Sequence, residues 1–336
     1  MPFRLQWERP DKTPSSFRAL RYAFYDWTRE MPKSKRLVTT AALLVQGYAI
    51  YSLWAHSLVW PLIWPKGLLF YFCVLLLYTI GYCVMNVTLS SELFRKSQLE
   101  SDQAAARQIQ RTLIPQKTAE LPGYDVQTFY EPFRDVGGDY FDVIALPGGR
   151  TLFAIADVAG KGMAAALLAA NIQALVRIIA TTERDPLAIA QQINTHLCRY
   201  TPDDRFATAV FMVLNHDSGE LMYVNAGHNA PIASSLGAAM FLKATGPPLG
   251  IFPDAKYETG TAAINPGGWL LLFTDGLTDA ILGDSPENRL SKALANGSGT
   301  TILNLKSLVD PKSHADDITM LLIKRPPVPA ARPTPS

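Results

Sequence analysis

Apolar and polar positions divide the chain into two very different parts. Residues 37–60 form an almost unbroken apolar run in which His56 is the one group that ionises near neutral pH, and residues 67–90 form a second run with no charged side chain. Each is long enough, as a helix, to cross the ~30 Å hydrocarbon core of a bilayer. Pro61 and Pro65 break the pattern between them and Lys66 marks a short loop, with Trp54, Trp60 and Trp64 nearby where an aromatic belt belongs. Basic residues precede the first run and recur at Arg95 and Lys96, so the positive-inside rule predicts a hairpin with both ends in the cytoplasm. The competing reading is a pair of buried helices in a soluble protein.

From Gly123 onward the pattern shortens to strand length. Runs rich in β-branched and aromatic residues predict strands over residues 124–133, 140–146, 151–156, 206–214, 220–225, 240–243, 259–264, 269–274 and 318–323. Two helical patterns interrupt them, over 163–181 and 186–199, the second with Ile189, Ile193 and Leu197 on one face. Strands, two helices, then more strands predict an α+β layered domain built mainly from antiparallel sheets.

Between these parts, residues 92–116 are polar and helix-favouring up to Pro115, and Leu99, Ala106 and Leu113 recur at a seven-residue spacing. This linker helix reads either as a passive spacer or as a continuation of the second span that passes rotation, or homodimer formation, to the globular part. Residues 1–36 are basic. Phe17, Leu20, Phe24 and Trp27 near helical spacing allow a helix lying on the membrane surface, against the alternative of a disordered arm. His56 and Asn86 are polar groups in or near the spans. Either could mark a sensing site, and His56 is close enough to the outer end to reach water. Residues 326–336, rich in Pro and Ala, predict a disordered tail. The organisation is then 1–36 basic segment, 37–90 two spans, 91–116 linker, 117–325 globular domain and 326–336 tail.

Composition narrows the chemistry. A net charge of +2 over 336 residues is too small for a general nucleic-acid binder, so no nucleic-acid partner is expected. Cys73, Cys83 and Cys198 form neither a CxxC pair nor a disulfide framework. Four aspartates stand where apolar strands meet turns: Asp139 after Gly137-Gly138, Asp157 before Val158-Ala159-Gly160, Asp275 after a run of Leu and Phe, and Asp316 ahead of Ile318. Gathered together they would repel one another without a cation. Oxygen-only donors suit Mn²⁺ or Mg²⁺, and no His–Cys cluster favours zinc. Isolated Asp-Gly pairs are ordinarily turns.

The ordered motifs Ala106-Arg107-Gln108-Ile109-Gln110 with Leu113-Ile114-Pro115, Val136-Gly137-Gly138-Asp139-Tyr140-Phe141-Asp142, Ile155-Ala156-Asp157-Val158-Ala159-Gly160-Lys161-Gly162, Arg205-Phe206-Ala207-Thr208, Asn225-Ala226-Gly227-His228-Asn229, Pro247-Pro248-Leu249-Gly250, Thr274-Asp275-Gly276-Leu277-Thr278-Asp279 and Asp316-Asp317-Ile318-Thr319 carry a resemblance. Over residues 100–325 the chain is similar to the metal-dependent PPM (type 2C) Ser/Thr phosphatase superfamily, in the bacterial branch typified by SpoIIE and RsbU. The resemblance implies an αββα sandwich, two antiparallel sheets face to face with helices outside. It implies two Mn²⁺ or Mg²⁺ ions held by Asp139, Asp157, the Val158 carbonyl, Asp275 and Asp316, with Asp157 bridging, and a water activated by the ions attacking phosphorus. It also implies a small phosphorylated STAS-domain regulator as substrate and partner, released for partner switching.

Other positions keep two readings. Arg134 and Lys161 lie beside the metal motifs, where they could hold substrate phosphate or be solvated charges. Asp317 reads as a supporting or surface residue, Asp279 as a weak further ligand or hydrated rim, and His228 as a turn-stabilising group or a catalyst. Many relatives carry a histidine just after the bridging aspartate that could protonate the leaving serine. Here that run is Val158-Ala159-Gly160-Lys161, which leaves water or Lys161 as the acid. The segment between Asp279 and Asp316 is shorter than usual for this branch. The expectation is a phosphoserine/phosphothreonine protein phosphatase in a bacterial inner membrane; a catalytically silent membrane scaffold is the alternative.

Overall fold

The computed structural model describes residues 33–57, 66–115, 121–133, 136–202, 204–235, 238–281, 285–294, 301–310, 313 and 315–327. The chain divides into two compact units, Met1–Glu100 and Ser101–Ser336. The expected basic arm, outer loop and tail lie outside the described residues, apart from residues 33–36 and Lys66, which are helical, and residues 326–327.

In the first unit, α1 (Lys33–Ser57) is followed by the start of α2 (Lys66–Leu113), which runs on past the expected end of the second span, and past Glu100, into the linker as one helix. Ala42, Ala49, Ser52 and Val74 are buried, whereas Leu44, Tyr51, Trp54, Leu69, Phe72 and Val87 are exposed. A Cβ on Gly81 would stand 3.1 Å from Gln46 Cγ and 3.4 Å from the Ala42 carbonyl oxygen, so the two helices approach closely at Gly81. Thr79, Asn86 and Thr88 bond back to the carbonyls of Leu76, Tyr82 and Val84, which satisfies their polar groups within the helix. Among the described residues one stretch, within Phe72–Gln110, is long and apolar enough to cross a membrane.

The second unit is an α+β sandwich. Its strands are β1 (Asp125–Glu131), β2 (Asp139–Leu146), β3 (Arg150–Val158), β4 (Ala207–Asn215), β5 (Glu220–Ala226), β6 (Ile232–Ser235), β7 (Ala238–Phe241), β8 (Gly260–Ala263), β9 (Trp269–Phe273) and β10 (Ile318–Lys324). They form two five-stranded sheets, in the orders β1-β10-β9-β6-β7 and β2-β3-β4-β5-β8. Every strand pair is antiparallel. Between the sheets lie Phe141, Val143, Phe153, Ile155, Val210 and Met212 from one and Leu270, Leu272, Leu321 and Ile323 from the other. Residues one position along face outward: Leu152, Ala154 and Ala156 of β3 meet α3 (Met163–Ile179) and α4 (Pro186–Tyr200) through Ile172, Val176, Ile189 and Ile193. On the opposite side Leu271, Phe273, Met320 and Leu322 pack against Leu277 of α5 (Asp275–Asp279), Leu290 and Leu294 of α6 (Pro286–Leu294), and Ile302 and Leu305 of α7 (Ile302–Lys306). Strands covered on both faces read as continuous apolar runs, which is why β3 and β9 are buried along most of their length.

The expected strand over 240–243 starts two residues earlier, and β6, α5, α6 and α7 were not expected. Ile232-Ala233-Ser234-Ser235 is short and small, and it is held in the sheet by pairing with β9 at Ile232–Leu271 and Ala233–Leu270. The segment between Asp279 and Asp316 holds both α6 and α7.

Candidate active site

Strand register places the first two aspartates. β2 and β3 pair so that Asp139 stands directly opposite Asp157 at one rim of the sheet, and Asp157 in turn faces Thr208 on β4. The other sheet delivers the remaining acids to the same rim. β9 ends at Phe273 and Thr274 leads straight into Asp275 at the start of α5, while Asp316 and Asp317 lead directly into β10. The two sheets are tied there by hydroxyls: Thr274 Oγ1 donates to Asp139 Oδ2 at 2.8 Å, and Thr319 Oγ1 donates to the same oxygen at 2.5 Å. Gly276 is required by close approach, because a Cβ there would lie 2.1 Å from the Asp317 carbonyl oxygen.

The acids act on one another electrostatically. Burial raises Asp139 well above the usual carboxylate range, and the charge on Asp157 raises it further. Burial, followed by the charges of Asp275, Asp316 and Asp317, pushes Asp157 up to about 7. Asp275 is raised by burial and then by Asp316 and Asp279. Lys161 opposes the shift on both Asp157 and Asp275. Its ammonium pairs with Asp316 Oδ2 at 2.6 Å and donates to the Ala315 carbonyl at 2.8 Å.

The chemistry of this donor set fits hard divalent cations: it offers carboxylate oxygens with mutual repulsion to relieve and no sulfur or imidazole. As the side chains stand, no three His, Cys, Asp or Glu groups among the described residues converge closely enough to hold one ion. Asp139 is turned to two threonine hydroxyls and Asp316 to Lys161. Arg134 lies outside the described residues.

Several supporting residues could not be assigned from sequence. Asp317, with two readings from sequence, is buried: Oδ1 accepts from Phe133 N at 2.8 Å and Oδ2 from Gly138 N at 2.6 Å, fixing the turn that carries Asp139. Gln110 of α2 makes a reciprocal pair with the backbone two residues before Asp139. Its Nε2 donates to the Gly137 carbonyl at 2.7 Å, and Gly137 N donates back to Oε1 at 3.1 Å. His228 is a buried pin between the sheets, with Nδ1 2.8 Å from Thr208 Oγ1 and Nε2 3.1 Å from the Phe273 carbonyl. The carbonyl contact requires Nε2 to carry the proton, so Nδ1 accepts from Thr208. Burial lowers His228 to about 4, which keeps the ring neutral, as a positioning group requires. The sequence signal for Gln110 and His228 was their place in ordered motifs; their partners lie far along the chain.

Comparison with known proteins agrees with this architecture. The Stage II sporulation protein E (SpoIIE) family matches residues 147–326. Protein IcfG of Synechocystis is 31% identical over 262 residues, covering 65% of this chain and 40% of that protein. The phosphoserine phosphatase RsbU of Bacillus subtilis is 27% identical over 186 residues, covering 55% of each. The chain thus spans about half the length of these curated relatives. Among solved structures, the SiaA-PP2C domain of Pseudomonas aeruginosa superposes with a TM-score of 0.58 at 22% identity, covering 68% of this chain and 98% of that one, which shows a shared fold. Sandwich, acid rim and family match together place the chain in the SpoIIE family, within the SpoIIE/RsbU branch of PPM (type 2C) phosphatases.

Proposed function

We propose that the chain is a membrane-tethered, Mn²⁺- or Mg²⁺-dependent phosphoserine/phosphothreonine protein phosphatase. The observation that carries this reading is the register that sets Asp139 against Asp157 while Asp275 and Asp316 arrive at the same rim from the other sheet. Asp139, Asp157, the Val158 carbonyl, Asp275 and Asp316 would hold two ions, Asp157 being shared. When bound, the ions supply the positive charge that lets a water attack phosphorus near neutral pH. Thr274, Thr319 and the Asp317-held turn keep Asp139 in place. The P–O bond to serine breaks, and the serine oxygen leaves with a proton. Ala159 has no proton to give, so Lys161 or solvent provides it; Lys161 also stands where an ammonium could hold the phosphate.

The substrate suggested by kinship with RsbU is a phosphorylated STAS-type regulatory protein. The apolar exterior of the α1–α2 unit and its one span-length stretch support membrane tethering, while the multi-pass hairpin in a bacterial inner membrane with both termini cytoplasmic rests on the two apolar runs and their flanking basic residues in the sequence. Leu99 and Ile109, both exposed on α2, support a homodimer through residues 92–116. The full chain in detergent should dephosphorylate a phospho-STAS protein only with Mn²⁺ or Mg²⁺. A silent scaffold would instead bind that protein and show no metal-dependent hydrolysis even of a generic aryl phosphate.

A further inference from the structure

Lys161 is held more tightly than a solvated lysine would be. It lies in the loop between β3 and α3, flanked by Gly160 at φ +103° and Gly162 at φ +79°. At Gly160 an added Cβ would stand 2.7 Å from the tip of the Arg205 side chain and at Gly162 it would meet open space, so it is the positive φ of the two glycines that sets the backbone path beneath Lys161. That path aims the side chain across the mouth of the acid rim. Its Nζ reaches Asp316 Oδ2 at 2.6 Å and the Ala315 carbonyl at 2.8 Å, and it stands 5.4 Å from the centre of the Phe133 ring.

An ammonium at that distance occupies a lone pair on Asp316 Oδ2, and Oδ1 accepts from Asp317 N at 2.9 Å, so a hard divalent ion reaching Asp316 would have to compete with Lys161 for Oδ2. Lys161 and Asp316 are 43% and 34% exposed, so water can reach the pair and its exchange for another cation is not blocked by burial. The lysine is also the positive charge that offsets the repulsion among the acids from within the chain.

We infer that Lys161 is a tethered counter-ion that competes with the divalent cation for Asp316 and so sets the metal affinity of the site. This rests on the metal reading above. Lysine thereby weakens metal binding, and occupancy follows the ambient supply of Mn²⁺ instead of being saturated. A purely substrate-holding lysine would leave metal affinity unchanged and act only when phosphate is present.

The test is Mn²⁺ binding to the full-length protein without substrate, followed by the EPR signal of free Mn²⁺ and by calorimetry. Lys161→Met should bind Mn²⁺ about tenfold more tightly than wild type. Lys161→Arg, which keeps a cation at the mouth, should stay close to wild type, and a retained thermal transition shows that both variants fold. Asp157→Asn separates the two levels of the account. If wild type shows no Asp157-dependent Mn²⁺ binding, the metal reading fails and the inference with it. If binding depends on Asp157 but is equal or weaker in Lys161→Met, only the inference is overturned. Equal tightening in Lys161→Arg and Lys161→Met also overturns it, because charge would then not be the cause.

Discussion

Two aspartates of one strand, three positions apart, have opposite fates. Asp139 and Asp142 both lie in β2 and are 4% and 2% exposed. Asp142 is satisfied within the protein: Arg177 of α3 donates to it through Nε at 2.6 Å and Nη2 at 3.3 Å, and its Oδ1 accepts from Val143 N. Asp139 receives two threonine hydroxyls and no cation, and it faces Asp157 across the sheet. Burial alone therefore does not mark a functional carboxylate. What separates the two is that Arg177 supplies the opposite charge to Asp142, whereas for Asp139 the proposed function leaves it to a divalent ion.

The strongest way to break this comparison is at the acid rim itself. Asp157→Asn should reduce metal-dependent hydrolysis to background while making the protein more stable in chelator, by about 1–3 kcal/mol, since a repelled carboxylate is removed. Thermal melts with EDTA, set beside activity with Mn²⁺, check both halves; a destabilised variant would contradict the account.

Arg177→Ala should do the reverse. It leaves Asp142 buried without its partner, costing about 3 kcal/mol of stability, while Asp157-dependent Mn²⁺ binding persists. Denaturant unfolding and metal titration on the same variant decide it.

Acid and base dependence sharpen the contrast further. Asp157 binds its proton more tightly folded, at about 7 against 3.8, so in chelator its contribution is present below about pH 4 and is lost as pH rises towards 7. Asp157→Asn should therefore gain on wild type across that window. His228 is depressed from 6.5 to about 4, so its neutral pin is fully stabilising above pH 6.5 and is lost as pH falls through that range. Wild type should exceed His228→Gln most near pH 7, by up to about 3 kcal/mol, with the gap closing towards pH 4. Melting temperatures of the three proteins from pH 4 to 8 give both slopes.

The smallest expected effect lies one step from the rim. Gln110→Ala removes the clasp on Gly137 without touching an acid, and should weaken Mn²⁺ binding about tenfold, read by calorimetry. No change would assign Gln110 to packing alone.

How much of this was legible in the sequence depends on distance along the chain. The layered α+β class with antiparallel sheets was, because β3, β9 and β10 are apolar runs of strand length bounded by turns, and the four aspartate stations each sit at a strand end; the face-to-face sandwich came from the family resemblance. β6 was not legible, since Ile232-Ala233-Ser234-Ser235 becomes a strand by pairing with β7 on one side and β9 on the other. α6 and α7 were hidden because Leu290 and Leu294, like Ile302 and Leu305, give too few apolar positions to show a period. Asp317 and Gln110 support the Asp139 turn through contacts spanning 179 and 27 residues, which no local pattern encodes. Asp142, read from sequence only as part of a motif, is a structural lock because Arg177 sits on the helix above it.

The most direct test is hydrolysis of an aryl phosphate by the full-length protein as Mn²⁺ is titrated, for wild type and Asp157→Asn side by side. The account predicts a rate that rises with Mn²⁺ and saturates in wild type and stays at background in the variant. Equal rates in the two proteins, or a wild-type rate indifferent to Mn²⁺ and to chelator, would contradict it.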